Sequence, residues 1–376
     1  MSNILKLIFI AILFFVTTLE AKNYLLQHKI RFFVDDLVKN HKLDRAKLTE
    51  LFSDVAYQQT ALSFYNKDIK AIPEKCDPKR PKTVCYSKGS WDRYSHNLLK
   101  SSKVQKGKAY MMKHHKILNR AYQKYGVPPE YITAIIGIES HYGANTGKYP
   151  VFDTLATLAF EPNRRNDFFR AELIAFLKMT QREKVEPAKV KGSYAGAIGL
   201  GQFMPSNYKS LAIDFNRDGK VSLNSHADAI GSIAHYFKKS GWKKDEEVAI
   251  PLSFLGHRYF GKKTGYKYKY TRSSLPELKP KEFTTYNDTV YLIKLQRATR
   301  DELWYGTKNF YAITRYNHSD YYAMAVHQLA QKIAGKSTQQ SNIIENGFVN
   351  NYDIKDDGLN NYLDAPLRGR KFIIDL

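Results

Sequence analysis

A single carboxylate, Glu139, closes an apolar run in YGVPPEYITAIIGIESHYG, from Tyr125 to Gly143. Ile132, Ile135, Ile136 and Ile138 precede it. On a helix, Ile132 and Ile135 lie on the same face as Glu139, so the carboxyl shares their buried side. Desolvation favours the neutral form of a carboxyl, and a neutral carboxyl can protonate a leaving oxygen as a general acid. On spacing alone, a helix-end Glu turned to solvent explains the pattern as well. A second segment, KGSYAGAIGLGQFMPSNY from Lys191 to Tyr208, carries Gly192, Gly196, Gly199 and Gly201. Its glycine order does not fit a dinucleotide fingerprint, and no Gly-Lys-Ser/Thr follows as in a phosphate loop. That leaves tight helix packing, or the floor of a groove where a polymer passes close to backbone. Gln202 would then offer amide hydrogen bonds.

The elements that must position these residues are mostly helical. Phe33, Val34, Leu37 and Val38 recur at helical spacing, and Leu48, Leu51, Phe52 and Val55 do so after Asp44, an expected N-cap. Residues 66–90 hold Pro73, Pro78 and Pro81 and read as a long loop. Helix is expected again over 104–125. Pro128 and Pro129 then open the helix that ends in Glu139, proline being favoured in the first turn. Over 225–240, Ile230, Ile233, Ala234 and Phe237 share one face before Gly241. Between 248 and 312 the composition shifts to Tyr, Thr and Lys, and Thr289–Leu295 reads as a strand. Helix is expected at 319–334, where Tyr322, Val326, Leu329 and Ile333 align.

The whole chain has 376 residues, a formal net charge of +23 and 27 tyrosines. Such a charge favours anionic partners. Two cysteines exclude a disulfide framework and a Cys-rich zinc module. Cys76 and Cys85, in CDPKRPKTVC, form either a local disulfide or a pair of thiols. The first residues, MSNILKLIFIAILFFVTTLEA, place Lys6 before an apolar run from Leu7 to Val16. That run is short of the ~20 residues a membrane span needs. It reads as a secretory signal cleaved after Ala21, or else as an uncleaved anchor. No cysteine lies near the cleavage region, so a lipoprotein anchor there is not expected. Export shifts the expected anionic partner from nucleic acid to cell-envelope polymers.

Three segments in order, VPPEYITAIIGIESHYG, GSYAGAIGLGQFMPSNY and FYAITRYNHSDYYAMAV, resemble the membrane-bound lytic murein transglycosylase B family. The likeness runs from about Arg31 to Ile333. It implies a mainly α fold with a small β domain: a lysozyme-like helical core flanked by an α domain and a β-containing insert. Expected segments are 1–21 signal peptide, 22–125 N-terminal helical region, 126–247 catalytic core, 248–312 β-containing domain, 313–335 C-terminal helix and 336–376 a tail of unknown role. The family cleaves the β-1,4 bond between N-acetylmuramic acid and N-acetylglucosamine without water, leaving a 1,6-anhydromuramoyl end. Its catalytic Glu, in an E-S/T motif, matches Glu139. Cleft positions carry over to Ser193, Gln202, Tyr236, Tyr316, Asn317 and Tyr322. Tyr94 matches a tyrosine in a W-x-R-Y segment, and Arg164 and Arg165 match a paired-arginine segment. The expected partners are peptidoglycan glycan strands and other cell-wall enzymes. Nucleic acid is not expected, and the protein is expected to be a periplasmic or envelope monomer.

The resemblance has two departures. The family carries an EF-hand-like loop, and DFNRDGKVSLNS keeps Asp214, Asn216, Asp218 and Gly219 of it. The twelfth position should be a bidentate carboxylate, and here it is Ser225. Calcium or sodium should therefore bind weakly if at all, and no cofactor is expected to be required. Asp228 would replace that ligand only if the loop bends differently. The tail after Gly335 is the other departure. Ordinary glycosidases use two carboxyls. No second one is evident beside Glu139, and Asp153, Glu161 and Asp167 are the carboxylates that would have to fold back. Two other functions fit parts of the pattern: a hydrolytic muramidase, and a non-catalytic peptidoglycan-binding protein. The Lys262–Arg272 stretch combines cations with flat rings, as a murein contact or as a plain solvated surface.

Overall fold

The structure is a computed structural model that describes residues 21–66 and 89–336. The signal segment, the Cys76 and Cys85 loop and the tail after Lys336 lie outside the described residues. Among the described residues the helices, in chain order, begin with α1 (His28–His41), α2 (Arg45–Ser53), α3 (Gln59–Asn66) and α4 (Ser90–Ser95). Next come α5 (Ser101–Lys113), α6 (His115–Tyr125), α7 (Pro129–Ser140), α8 (Val151–Phe160) and α9 (Asn166–Glu183). The last are α10 (Pro205–Leu211), α11 (His226–Lys239), α12 (Lys308–Tyr316) and α13 (Asp320–Ile333). The chain forms two compact units that interleave along the sequence. None of the described helices is long and apolar enough to cross a membrane.

The first unit takes the described residues up to 66, then Tyr149–Val190 and Tyr194–Gly196. Asp44 caps α2 as expected, accepting from Lys47 N at 2.9 Å. Val55 is not helical: α2 ends at Ser53, and Val55–Ala56 pairs antiparallel with Ala21–Lys22. Rings from the two ends of this unit interlock edge to face, Phe52 on Phe152 at 5.2 Å and Phe33 on Phe160 at 5.1 Å between centroids.

The second unit holds α4–α7 and α10–α13 with the larger sheet. The helix expected over 104–125 is two helices. His114 leaves helical geometry at φ −106° and ψ 17°, and its ring stacks on His226 at 4.5 Å. That tertiary contact overrides the local pattern. α7 begins as expected, with Pro128 at the N-cap and Pro129 in the first turn. Ile132, Ile135 and Ile136 on it are fully buried, and each contributes about 1.5–3 kcal/mol to stability.

Five antiparallel strands form the β region: Ala249–Ser253, Lys269–Tyr270, Lys279–Pro280, Val290–Gln296 and Asp301–Gly306. Val290–Gln296 and Asp301–Gly306 pair in a hairpin with Ile293 opposite Trp304. Every residue of Asp301–Gly306 is buried, so the hairpin is covered on both faces. One face covers a core of Ile250, Leu252, Leu275, Leu292 and Leu303. The β character expected as far as 312 stops at Gly306, because α12 starts at Lys308. Thr307 caps it by accepting from Asn309 N, and buried Asn309 donates to the carbonyls of Lys243 and Glu246. Asn, Phe, Tyr and Thr are indifferent helix formers, so local sequence hides this helix. The expected C-terminal helix over 313–335 is accordingly the end of α12 plus α13.

Candidate active site

Glu139 sits on the last turn of α7 and is half-buried. The chain stops there because His141 and Tyr142 both take left-handed backbone, at φ 53° and φ 64°. Ser140 ties the turn: its Oγ donates to Ile136 O and accepts from Gly143 N, both at 3.1 Å. The Tyr142 ring then folds back between two helices. A Cβ on Gly137 would lie 2.5 Å from that ring, and one on Gly107 would lie 2.7 Å from its hydroxyl. Glycine at both positions makes the slot. The Tyr142 hydroxyl donates to Lys103 O at 2.8 Å, and buried Lys103 Nζ donates to Gly137 O at 3.0 Å. These bonds fix the turn that carries Glu139.

A tyrosine from α13 reaches the carboxylate. Tyr322 is fully buried and its hydroxyl donates to Glu139 Oε1 at 2.6 Å. Its backbone is set by the helix cap, with Tyr322 N donating to Ser319 Oγ at 3.2 Å. The Tyr316 ring lies parallel to it, 6.5 Å away at 8°. Tyr316 in turn donates to Gly201 O and packs on Tyr236 at 4.7 Å. Tyr236 donates to Arg315 O, and burial pushes its own phenol up to about 12. Thus Glu139, Tyr236, Tyr316 and Tyr322 form one connected array.

The glycine-rich segment supplies the neighbouring wall. Gly199 has φ +75°, and a Cβ there would lie 2.3 Å from Leu223 O, so its freedom serves tight packing. Gln202 takes left-handed backbone at φ 52°. Its Nε2 donates to Thr146 O at 3.0 Å and Gly199 O at 2.9 Å. Both amide hydrogens are thereby committed, which orients the amide oxygen. Ser193 forms a tight pair with Ala197: its N donates to Ala197 O at 2.9 Å and its Oγ accepts from Ala197 N at 3.0 Å. Asn317 ends α12 with its carbonyl accepting from Ser319 N at 2.7 Å.

Tyr94 joins the same unit through α4. It stacks on Trp91 at 6.1 Å and meets Tyr321, the neighbour of Tyr322, at 5.6 Å. Asp92 holds α4 in place by accepting from Ala298 N at 2.9 Å and pairing with Arg297 at 2.5 Å. Arg164 and Arg165 belong to the first unit, where Arg164 is exposed and Arg165 lies over the Phe168 ring at 4.1 Å. The three other carboxylates that sequence raised are partnered within that unit. Asp153 accepts from Ala56 N, Glu161 from the Tyr24 hydroxyl, and Asp167 pairs with Arg170. Burial pushes Asp153 up to about 6. Ser140, Lys103, Tyr142 and Tyr321 are functional supports that sequence reasoning missed. The available signal was Gly137, a costly residue inside an otherwise apolar helix.

The EF-hand-like loop is braced from inside. Asp214 accepts from the backbone N of Arg217, Asp218 and Gly219. Lys220 N and the Asn216 amide donate to Asp218, and these bonds hold its carboxyl below the usual carboxylate range. Fully buried Asp228 accepts from Phe215 N at 2.8 Å, Asn216 N at 3.2 Å and Ser222 N at 2.9 Å. Ser225 is the N-cap of α11, its Oγ accepting from Asp228 N. Calcium takes six to eight oxygens, with a bidentate carboxylate closing such a loop. The closing position, Ser225, caps a helix instead, while the Asp228 carboxylate reaches the loop backbone.

Comparison with known proteins follows the same lines. A family model described as "Transglycosylase SLT domain" matches residues 26–331. The chain is 41% identical over 304 residues to the membrane-bound lytic murein transglycosylase B of Escherichia coli, covering 80% of this chain and 81% of that one. The E. coli lytic transglycosylase SLT35 in complex with calcium matches with a TM-score of 0.74 and 37% identity, over 85% of this chain and 97% of that one. SltB3 from Pseudomonas aeruginosa, in complex with NAG-anhNAM-pentapeptide, matches with a TM-score of 0.66 and 26% identity, over 82% and 79%.

Proposed function

The chain belongs to the transglycosylase SLT domain family and is a lytic transglycosylase of peptidoglycan; from that premise we propose that Glu139 alone runs its proton chemistry. Glu139 protonates the oxygen that links N-acetylmuramic acid C1 to N-acetylglucosamine. The C1–O bond breaks, and the N-acetyl carbonyl of the muramic acid stabilises the positive charge at C1. Glu139, now a carboxylate, takes the proton of the same sugar's C6 hydroxyl as that oxygen bonds to C1. No water is consumed, and the carboxyl ends protonated as it began. Intramolecular attack gains the entropic advantage of a held nucleophile.

The observation that carries this reading is the buried Tyr322 hydroxyl, 2.6 Å from Glu139 Oε1. It orients one carboxylate and can follow it through both protonation states. The tyrosine rings and the Gln202 amide suit sugar faces and N-acetyl groups. The SltB3 relative was crystallised with an anhydro-sugar ligand, which supports the product. We also read the enzyme as envelope-exported and monomeric, working with other cell-wall enzymes and independent of calcium. The N-terminal pattern supports export, and Ser225 at the closing position of the 214–225 loop supports calcium independence.

The test is mass spectrometry of products from purified murein. Anhydro ends are expected, one water lighter than hydrolysed ends. Ends of the hydrolysed mass would establish a muramidase instead. Glu139→Gln should keep glycan binding and lower cleavage by about 10²–10⁴-fold. Binding without cleavage by the parent protein would make it a binding module.

A further inference from the structure

The second unit holds a cavity of about 380 Å³ that the chemistry above does not use. Its cationic lining is Lys267, Lys269 and Arg315, with His318 beside them and no acidic side chain among the lining residues. Its walls are rings. Tyr291 and Tyr311 stack at 5.0 Å and 10°, and the Arg315 guanidinium lies 4.2 Å over Tyr311 and 5.3 Å from Tyr266. Lys267 lies in the turn that Tyr268 N closes on Gly265 O at 3.0 Å, Lys269 opens the strand after it, and both line the cavity. Lys269 is paired with Tyr291 across the sheet. The loop before them is anchored by Asp320, which accepts from Tyr266 N at 2.8 Å. Of the expected Lys262–Arg272 contact stretch, Lys267 and Lys269 therefore line a cavity, whereas Arg272 donates to Tyr286 O at 2.6 Å.

A second observation points to a ligand. Arg315 Nε is buried and has no hydrogen-bond acceptor, although Nη2 of the same side chain reaches Thr314 Oγ1 at 3.1 Å. A buried donor without an acceptor is costly. The guanidinium fork matches carboxylate and phosphate groups alike. Arg315 is also next to the catalytic array: its carbonyl accepts from Tyr236, and Tyr316 follows it.

We propose that this cavity is a carboxylate subsite that receives the peptide stem of the murein strand. The assignment rests on the peptidoglycan reading above, since stems carry carboxylates and hang from the sugar being cleaved. The cations bind the carboxylate, and the tyrosine faces cover the peptide backbone. A volume near 380 Å³ lies within the range of small-ligand sites. The subsite gives the enzyme a preference for stem-bearing over stripped glycan.

The test compares the full-length protein with a Lys267→Ser, Lys269→Ser double variant on two substrates. One is murein glycan with stems, and the other is the same glycan after an amidase has removed them. The variant should raise KM on the stem-bearing glycan about five- to tenfold at low salt, with kcat unchanged. Its KM on the stripped glycan should match the parent's. Equal rises on both substrates, or none on either, would overturn the proposal. Titration of a free stem tripeptide, followed by tyrosine ring resonances, gives a readout without turnover. The tripeptide should shift Tyr266 and Tyr311, and its fully amidated form should not. Equal shifts from the amidated form, or tighter binding of inorganic polyphosphate, would also overturn it. If the parent cleaves neither glycan, the transglycosylase reading fails, while the titration still decides the subsite.

Discussion

Replacing Tyr322 by Phe removes one oxygen and leaves the ring. The lost hydroxyl is fully buried and donates to Glu139 Oε1 at 2.6 Å. Hydrogen bonds to charged groups contribute about 1.5–3 kcal/mol. If that bond orients the carboxylate in the reaction, kcat should fall about ten- to 150-fold, with KM within about twofold of the parent. The parallel Tyr316 ring should stay in place, because its own anchor is Gly201 O. The assay is the initial rate of anhydro-end release from purified glycan, with a thermal melt to check folding. Combining Tyr322→Phe with Glu139→Gln should add little to the loss from Glu139→Gln alone, since both act through one group. Unchanged kcat would refute the positioning role. Raised KM at unchanged kcat would make Tyr322 a sugar contact instead.

Other expectations follow from the supports and the buried acids and bases. Gly137→Ala places a Cβ 2.5 Å from the Tyr142 ring; it should destabilise the protein by about 1–3 kcal/mol in a denaturant melt and lower kcat. Burial pushes His327 down to about 4, and its Nδ1 bonds the Tyr131 hydroxyl at 2.8 Å. Its stabilising effect is complete above the unfolded value of about 6.5 and is lost as pH falls towards 4; this costs at most about 3 kcal/mol, and His327→Gln should flatten that part of the profile. Asp153 has the opposite sign, being raised to about 6: stability falls as pH rises through that value, by about 1–2 kcal/mol after solvent screening, and Asp153→Asn should remove the fall. Millimolar calcium should leave both turnover and melting temperature unchanged; a rise of more than about 4 °C, on the scale of 1 kcal/mol, would contradict the reading of the 214–225 loop.

Glu139 was legible because the family likeness singled it out, whereas apolar spacing alone left a solvent-facing Glu equally open; the helix start at Pro129 followed from proline chemistry. Tyr322 was legible as a helical position, and the family likeness singled it out. Its bond to Glu139 was not, because the partners lie 183 residues apart and nothing local encodes that meeting. Sequence also missed the break at His114, where a ring contact with a distant histidine decides the backbone. α12 was hidden by weak local propensity, and buried Asn309 is what secures it. The loop from Asp214 to Ser225 was read from its spacing. Only the structure revealed that Asp228 enters it from below and that Ser225 serves the following helix.

The interleaved first unit sets the order in which the nascent chain can mature. Its early stretch meets later residues far along the polypeptide: Ala56 N bonds Asp153 across 97 residues, and Lys22 bonds Glu161 across 139. At about 5–20 residues added per second, these partners emerge roughly 5–30 s apart. During that interval Phe33 and Phe52 have no rings from the later stretch to interlock with. The first helices therefore wait, partly uncovered, while much of the second unit is still being made. A holding chaperone would find its most exposed target there, and arrest of synthesis before residue 149 would leave that unit unable to close.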